Sequence, residues 1–431
     1  MKKYFFLFIC VVYAIAQPEK QEDIIKVKTR YGFEVERRPV VNFNIFTDYL
    51  KRSENPHLIL ATEVQNDRLQ FIKEGDAYQA EYQISVAIRK DKKALFKETW
   101  NETVTLDNFE ETNAKQEYQY KVYNLNTTLD EPAPLPPGEY ECFFEIRDFT
   151  SKNSYNNSRE FTIKDYHQTG PLATEIAFLK KDNTNLFNFP LSPAPEGLLF
   201  TEPYMAYAKV LADSFPELKF NIRLLKDEGA GYQLFYQKYK TIKSDSGAFK
   251  IYFDLPEDSL GEGAYRLRFI GLAGDDEISI DKEFSVHWFE KSTYLYKPDL
   301  AIRPMQYLMS PEEYKEVKSL SYNDLDRWIK NYWKKKDPTP GTEFNELLDI
   351  FFKRVQDANE KFSSRHLEGW ETDRGKILIL YGDPDEIENR RYATDLKPHV
   401  IWKYKKQNLT FVFVDEKHDG EFKLLNEEAK E

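Results

Sequence analysis

The hydrophobic period changes once along this 431-residue chain, and that change limits its architecture more than any other feature. As far as Trp288 the apolar residues recur in short runs at period two, and beyond it they recur at about 3.6. Tyr82, Ile84, Val86 and Ile88 show the first pattern. Phe344, Leu347, Leu348, Phe351, Phe352, Val355, Ala358 and Phe362 show the second. A β-rich part followed by a helical part is therefore expected. With 41% hydrophobic and 15% aromatic residues the chain can bury several cores and does not have the composition of a disordered one.

Within the β-rich part, strands are predicted at 40–46, 57–64, 78–88, 97–106, 117–125, 140–148 and 158–164. The rigid turn Pro134–Gly138 precedes the sixth. A second series is predicted at 174–178, 204–211, 218–225, 232–242, 248–255, 264–272 and 278–288, with the proline-rich stretch 191–203 as a loop. The two series share a late motif. Gly138-Glu139-Tyr140 is followed by Glu160-Phe161-Thr162-Ile163, and Gly263-Ala264-Tyr265 by Glu283-Phe284-Ser285-Val286. A tyrosine opening the penultimate strand, with its hydroxyl answered by the turn before it, is the tyrosine-corner arrangement of Ig-like domains. Two Ig-like antiparallel β-sandwiches are expected, over residues 40–165 and 166–290.

The helical part begins with Ser310-Pro311-Glu312-Glu313, an N-cap followed by proline and acids in the first turn. Helices are predicted from Pro311, over 323–335 and over 342–362. Four strands are predicted after them, at 376–381, 399–404, 410–414 and 421–425, the last two joined by a turn with Asp419-Gly420. Residues 291–431 thus read as an α+β domain with a small sheet, and the whole as multidomain, mainly β then α+β.

Met1-Lys2-Lys3, the apolar run Tyr4–Tyr13 and Ala14-Ile15-Ala16 have the form of a secretory leader over residues 1–16, cleaved after Ala16. Residues 17–39 read as an extended lead-in with room for one edge strand. No later run is long and apolar enough to span a bilayer, so the mature chain is expected in the periplasm or outside the cell. The net charge of −12 argues against nucleic acid and anionic lipid as partners. The cysteines are Cys10 and Cys142. The latter, in a strand-like run without a neighbouring histidine, reads as a small buried hydrophobe.

The densest run of unusual residues joins the third helix to the small sheet. Gly369-Trp370-Glu371-Thr372-Asp373-Arg374-Gly375 resembles the motif that names the GWxTD domain. The similarity extends upstream through Trp333, Asp337-Pro338-Thr339-Pro340, Asn345-Glu346, Arg354-Val355 and Ala358-Asn359. Downstream it takes in Tyr381-Gly382, Pro384-Asp385, Trp402, Phe411-Val412-Phe413 and Asp415. The resemblance implies an exported bacterial protein with β-rich regions before the domain, and it implies no established activity.

Residue by residue, Gly369 and Gly375 suit positive φ or close backbone approach at the ends of a tight loop. Trp370 suits a core anchor. Thr372 and Asp373 suit bonds to backbone N–H groups, and Arg374 a pair with Asp373 or with an acid of the third helix. Tyr381 and Trp402 complete the set of motif and binding candidates together with Asp383, Asp385 and Glu386. Asp373, Asp383, Asp385 and Glu386 would form a metal or acid/base cluster if they converged. Read locally, Asp383-Pro384-Asp385-Glu386 is instead a turn and helix start. The histidines lack metal-binding spacing, and no P-loop, G-x-G-x-x-G or G-x-S-x-G occurs. The expectation is therefore an exported, non-enzymatic binding or structural protein of the bacterial envelope. It needs no cofactor and no metal, and its last domain engages another protein or an envelope component. The alternative is a hydrolase or metal-assisted enzyme that uses the acids of residues 373–386.

Overall fold

A computed structural model describes residues 24–125, 135–181, 190–390 and 397–429. The leader and Cys10 lie outside the described residues, as do Asn126 and Pro134. The fold is mostly β, with several antiparallel sheets and with its long helices in the C-terminal region. Two compact units result. One comprises Glu36–Glu257 and Glu262–His287, and the other comprises Lys28–Val35, Asp258–Gly261 and Trp288–Glu431.

The expected lead-in contains two strands rather than one, β1 (Ile25–Lys28) and β2 (Glu34–Arg37), paired with each other. There follow β3 (Val41–Asp48), β4 (His57–Gln65), β5 (Ile72–Glu74), β6 (Ala77–Lys90), β7 (Lys93–Leu106), the single helical turn α1 (Phe109–Thr112), β8 (Tyr118–Leu125), β9 (Gly138–Asp148) and β10 (Ser154–Ile163). One sheet has the order β3-β4-β8. The other has the order β10-β9-β6-β5, with β7 also on β6. Strand alternation aims Phe43, Leu58 and Leu60 from the first sheet and Tyr82, Ile84, Phe144 and Ile146 from the second into one hydrophobic cluster. Cys142 belongs to it and is fully buried.

The second series runs β11 (Leu172–Ala173), β12 (Ala177–Lys180), β13 (Gly197–Leu199), β14 (Tyr204–Leu211), β15 (Glu217–Asp227), β16 (Tyr232–Lys243), β17 (Ala248–Asp254), β18 (Gly263–Ala273) and β19 (Asp276–His287). Its sheets are β11-β14-β12 with β17 on β14, and β13-β19-β18-β15-β16. The stretch 191–203 is not wholly loop. No proline falls between Pro195 and Pro203, and within that gap Gly197–Leu199 adds to the sheet parallel to β19.

In the other unit the helices are α2 (Pro298–Met305), α3 (Pro311–Lys318), α4 (Tyr322–Lys334), α5 (Glu346–Phe362) and α6 (Asp373–Tyr381). The strands are β20 (Glu386–Arg390), β21 (His399–Tyr404), β22 (Leu409–Val414) and β23 (Lys423–Ala429), in one antiparallel sheet in chain order. Ser310, Ser321 and Asn345 cap α3, α4 and α5 by accepting from Glu313, Asp324 and Leu348 N–H. α2 is not among the predicted helices. Pro298 occupies its first turn, where its missing N–H costs nothing.

The main correction concerns residues 376–381, which are helix α6 and not a strand. Ile377, Leu378 and Ile379 are all buried, so the run lacks the polar face that would betray a helix. What decides the matter lies at its ends. Thr372 caps the N-terminus by accepting from Gly375 N–H at 3.0 Å, and Gly382, at φ 82°, stops the helix in a conformation that a side chain disfavours. The helix start expected at Asp383–Glu386 is corrected with it. That segment leaves a helix and enters strand β20.

Candidate functional site

The run 366–386 wraps around the C-terminal end of α5. Gly369 lies against that helix so closely that a Cβ there would stand 1.9 Å from the Ala358 carbonyl oxygen. Gly375, in the first turn of α6, is pressed on Gly369 in the same way, its Cβ position being 1.9 Å from the Gly369 oxygen. Neither glycine needs positive φ; both are required by close approach. α5, the 3₁₀ turn Gly369–Glu371 and α6 therefore pack backbone on backbone.

The side chains between the glycines fasten this contact. Trp370 is 2% exposed. Its backbone N–H donates to Asn359 Oδ1 at 3.2 Å, its carbonyl accepts from Tyr307 Oη at 2.9 Å, and its Nε1 donates to Glu368 Oε2 at 2.5 Å. Glu371 accepts from Glu368 N–H at 2.9 Å. The Thr372 hydroxyl donates to the Gly369 carbonyl at 2.7 Å while capping α6. Asp373 Oδ2 accepts from Leu424 N–H at 2.8 Å, which ties β23 to the start of α6.

The Arg374 guanidinium lies over the rings of Phe362 (4.7 Å) and Phe422 (4.5 Å), so it bridges α5 and the chain entering β23 as a flat packing surface. The cavity beside these residues, lined by Phe362, Leu367, Thr372, Arg374 and Phe422, has a volume of about 20 Å³. That is room for about one water.

Reasoning from sequence left Glu368 off the candidate set, yet it is the most heavily bonded side chain here. Its Oε2 accepts from Tyr294 Oη (2.6 Å) and Trp370 Nε1, and its Oε1 accepts from Tyr31 Oη (3.0 Å). Arg30 and Arg303 stand 3.3 and 3.7 Å from it. Asn359 donates in turn to Tyr294 Oη at 3.0 Å. Burial pushes the Glu368 carboxyl upward, but the hydrogen bonds from Tyr294, Trp370 and Tyr31, with the charge of Arg30, outweigh it and hold the group below its ordinary value. Burial also pushes the Tyr294 hydroxyl up, with Glu368 adding to the effect. Tyr307 is pushed up to about 12, first by burial and then by the carboxylates of Glu371 and Asp373. The only signal for Glu368 in the sequence was its place next to the motif, since Arg30 and Tyr31 lie more than 300 residues away.

The four acids do not converge. Asp373 begins α6 and Asp383 follows its end, and nine helical residues separate the ends by roughly 13 Å. Asp383 is exposed and meets Lys361 Nζ at 3.0 Å, while Asp385 accepts from Lys405 N–H at 2.6 Å. Glu386 sits 3.1 and 3.2 Å from Lys403 and Lys405, which lower its pKa. Among the described residues no group of three or more His, Cys, Asp or Glu is placed to hold a metal ion. Tyr381 packs its ring on Tyr404 and Phe411, and the buried Trp402 packs on Phe362 and Phe413. No helix among the described residues is long and apolar enough to cross a membrane.

No curated protein matches the chain. The junction of α5, the 3₁₀ turn and α6, with the sheet that Asp373 anchors, falls in a segment of known family: residues 282–430 match the model of the GWxTD domain, and the chain carries that domain.

Proposed function

We propose that the chain is an exported, non-enzymatic binding or structural protein of the bacterial envelope, in which two Ig-like β-sandwiches precede a GWxTD domain that serves as the interaction module. The observation that carries this reading is the use made of the motif. Trp370, Glu371, Thr372 and Asp373 each bond to a group of their own domain, and the adjoining cavity is water-sized. Leu347 and Ile350, one turn apart on α5, meanwhile remain 45% and 43% exposed, as an interaction face would leave them.

The Ig-like reading is supported by a match between the two strand series. β3, β4 and β8 form one sheet and β7, β6, β9 and β10 belong to the other. β12, β14 and β17, then β16, β15, β18 and β19, repeat that assignment in chain order. Tyr140 and Tyr265 stack on Phe161 and Phe284 at 5.6 and 5.5 Å. Lys90 and Lys226 reach over the same two tyrosines, and Gly138 and Gly263 hold φ of 148° and 143°. The Tyr140 hydroxyl donates to the Pro136 carbonyl at 2.6 Å. Both series even shift register at the matching place, after Ile88 and after Leu224.

The test is a photo-crosslinking amino acid at Leu347 or Ile350 in the full chain, expressed in a Gram-negative host and followed by fractionation. A discrete adduct with an envelope protein, on mature chains beginning at Gln17, is expected. Cytoplasmic chains, or export with no adduct from either position, would refute the proposal.

A further inference from the structure

The match between the two strand series exposes one place where they differ in kind. In the first, Ser85 on β6 faces Thr99 and Glu145, and Gln83 faces Asn101 and Arg147. In the second, Asn221 on β15 faces Tyr239 and Ile270, and Lys219 faces Thr241 and Leu272. Counted from the paired landmarks Lys90/Lys226 and Tyr140/Tyr265, these are equivalent positions on the outward side of the sheet. Thr99, Glu145 and Arg147 of one series thus correspond to Tyr239, Ile270 and Leu272 of the other. The first series folds with polar residues there, so folding does not require apolar ones. Tyr239 is nevertheless 74% exposed and Leu272 61%. With Phe215 they line an open groove of about 590 Å³, within the size range of binding sites.

The groove lies beside β16, the last strand of its sheet. β16 carries Lys238, Lys240 and Lys243 and no acidic residue, in a chain of net charge −12. Lysines on an edge strand guard against aggregation, which accounts for the charge but not for the groove. A second copy of β16 is a poor occupant, because it would set lysines against lysines.

We propose that this groove and edge form a docking site for an extended acidic polypeptide segment with an apolar residue at every second position, added to the sheet alongside β16. The period of two follows from the strand. Tyr239, Thr241 and Lys243 leave the strand on the groove side, and Lys238 and Lys240 on the other. Lys240 still reaches the groove lining, and its Nζ donates to the Tyr252 carbonyl at 2.7 Å. A segment paired with β16 sets its apolar side chains beside Tyr239 and over Leu272, and its carboxylates beside Lys238 and Lys240. Main-chain bonds supply affinity and the groove supplies selectivity. The site uses no residue of the GWxTD domain and does not depend on the role proposed for it.

The probe is a fluorescein-labelled decapeptide of alternating valine and glutamate, titrated against the full chain by fluorescence anisotropy, with an alternating valine–lysine decapeptide as control. Saturable binding of the first is expected, with the second on the order of tenfold weaker or absent. The chain carrying Tyr239→Thr, Ile270→Glu and Leu272→Arg, which takes its residues from the first series, should lose binding at an unchanged melting temperature. Tyr239→Thr alone, at so exposed a position, serves if the triple variant does not fold. Absence of saturable binding, equal binding of the two peptides, or undiminished binding to the folded variants would overturn the proposal.

Discussion

Replacing Asp373 separates a structural role of the motif from a ligand-binding one. Its carboxylate accepts from Leu424 N–H at 2.8 Å and occupies the first turn of α6. A hydrogen bond to a charged acceptor contributes about 1.5–3 kcal/mol. An acid in the first turn of a helix contributes about 0.3–1 kcal/mol more. Asp373→Ala should therefore destabilise the junction by about 2–4 kcal/mol. Asp373→Asn, which keeps an acceptor and loses the charge, should cost roughly 1 kcal/mol. A chain of two units has no single unfolding free energy, so the assay is native-state hydrogen exchange read by mass spectrometry over 373–381 and 423–429. At 1.4 kcal/mol per tenfold, exchange in Asp373→Ala should accelerate from roughly thirtyfold to several hundredfold, with Leu424 N–H among the amides released. The reasoning is refuted if Asp373→Ala leaves exchange in both segments unchanged, and all the more so if the same variant loses its envelope adduct.

Three other outcomes follow from the same geometry. The lowered pKa of Glu368 means that its contribution to stability is present above the unfolded carboxylate range and is lost as pH falls through the folded value. The difference in exchange between wild type and Glu368→Gln should thus be largest near neutral pH and shrink as pH falls below the ordinary carboxylate range, and a constant difference would contradict the assignment. Gly369→Ala drives a methyl group into the Ala358 carbonyl, so a loss of about 3 kcal/mol or more, or failure to accumulate, is expected in thermal melts and soluble yield. Burial pushes the Cys142 thiol up, so in a Cys10→Ser chain a thiol reagent should react only at the rate of unfolding, and reaction within seconds under native conditions would contradict its place in the core.

Where the sequence could be read and where it misled have definite physical causes. Strands such as 138–148 were legible because one face is buried and the other is not, so Tyr140, Cys142, Phe144 and Ile146 alternate with exposed or half-exposed neighbours. α5 was legible for the same reason at the longer period. α6 is buried on most sides, and a short apolar run carries no period of its own. The Thr372 cap was visible but reads locally as a feature of a loop, and Gly382 by itself does not announce a helix stop. Of the site, the motif residues and the bonding habit of Thr372 and Asp373 were readable locally. The partners of Glu368 were not, because Arg30 and Tyr31 are brought to it by the fold and not by chain proximity.

The letters of the motif divide into three physical tasks. The two glycines let three backbone segments touch. Trp370 fills the space beneath them and passes one N–H to Glu368. Thr372 begins α6 by bonds within the loop, and Asp373 attaches β23 to it by a bond that exists only once the last strand is in place. Each task depends on the other two. A change in any of these residues should therefore loosen α5, α6 and β23 together, and pairs of such changes should cost less than the sum of the single ones. A ligand-binding role would predict the opposite, namely single losses of binding on an intact junction. If the junction loosens as a unit, the side chains left to carry the proposed interaction lie outside the motif, on faces such as that of Leu347 and Ile350, which are 45% and 43% exposed.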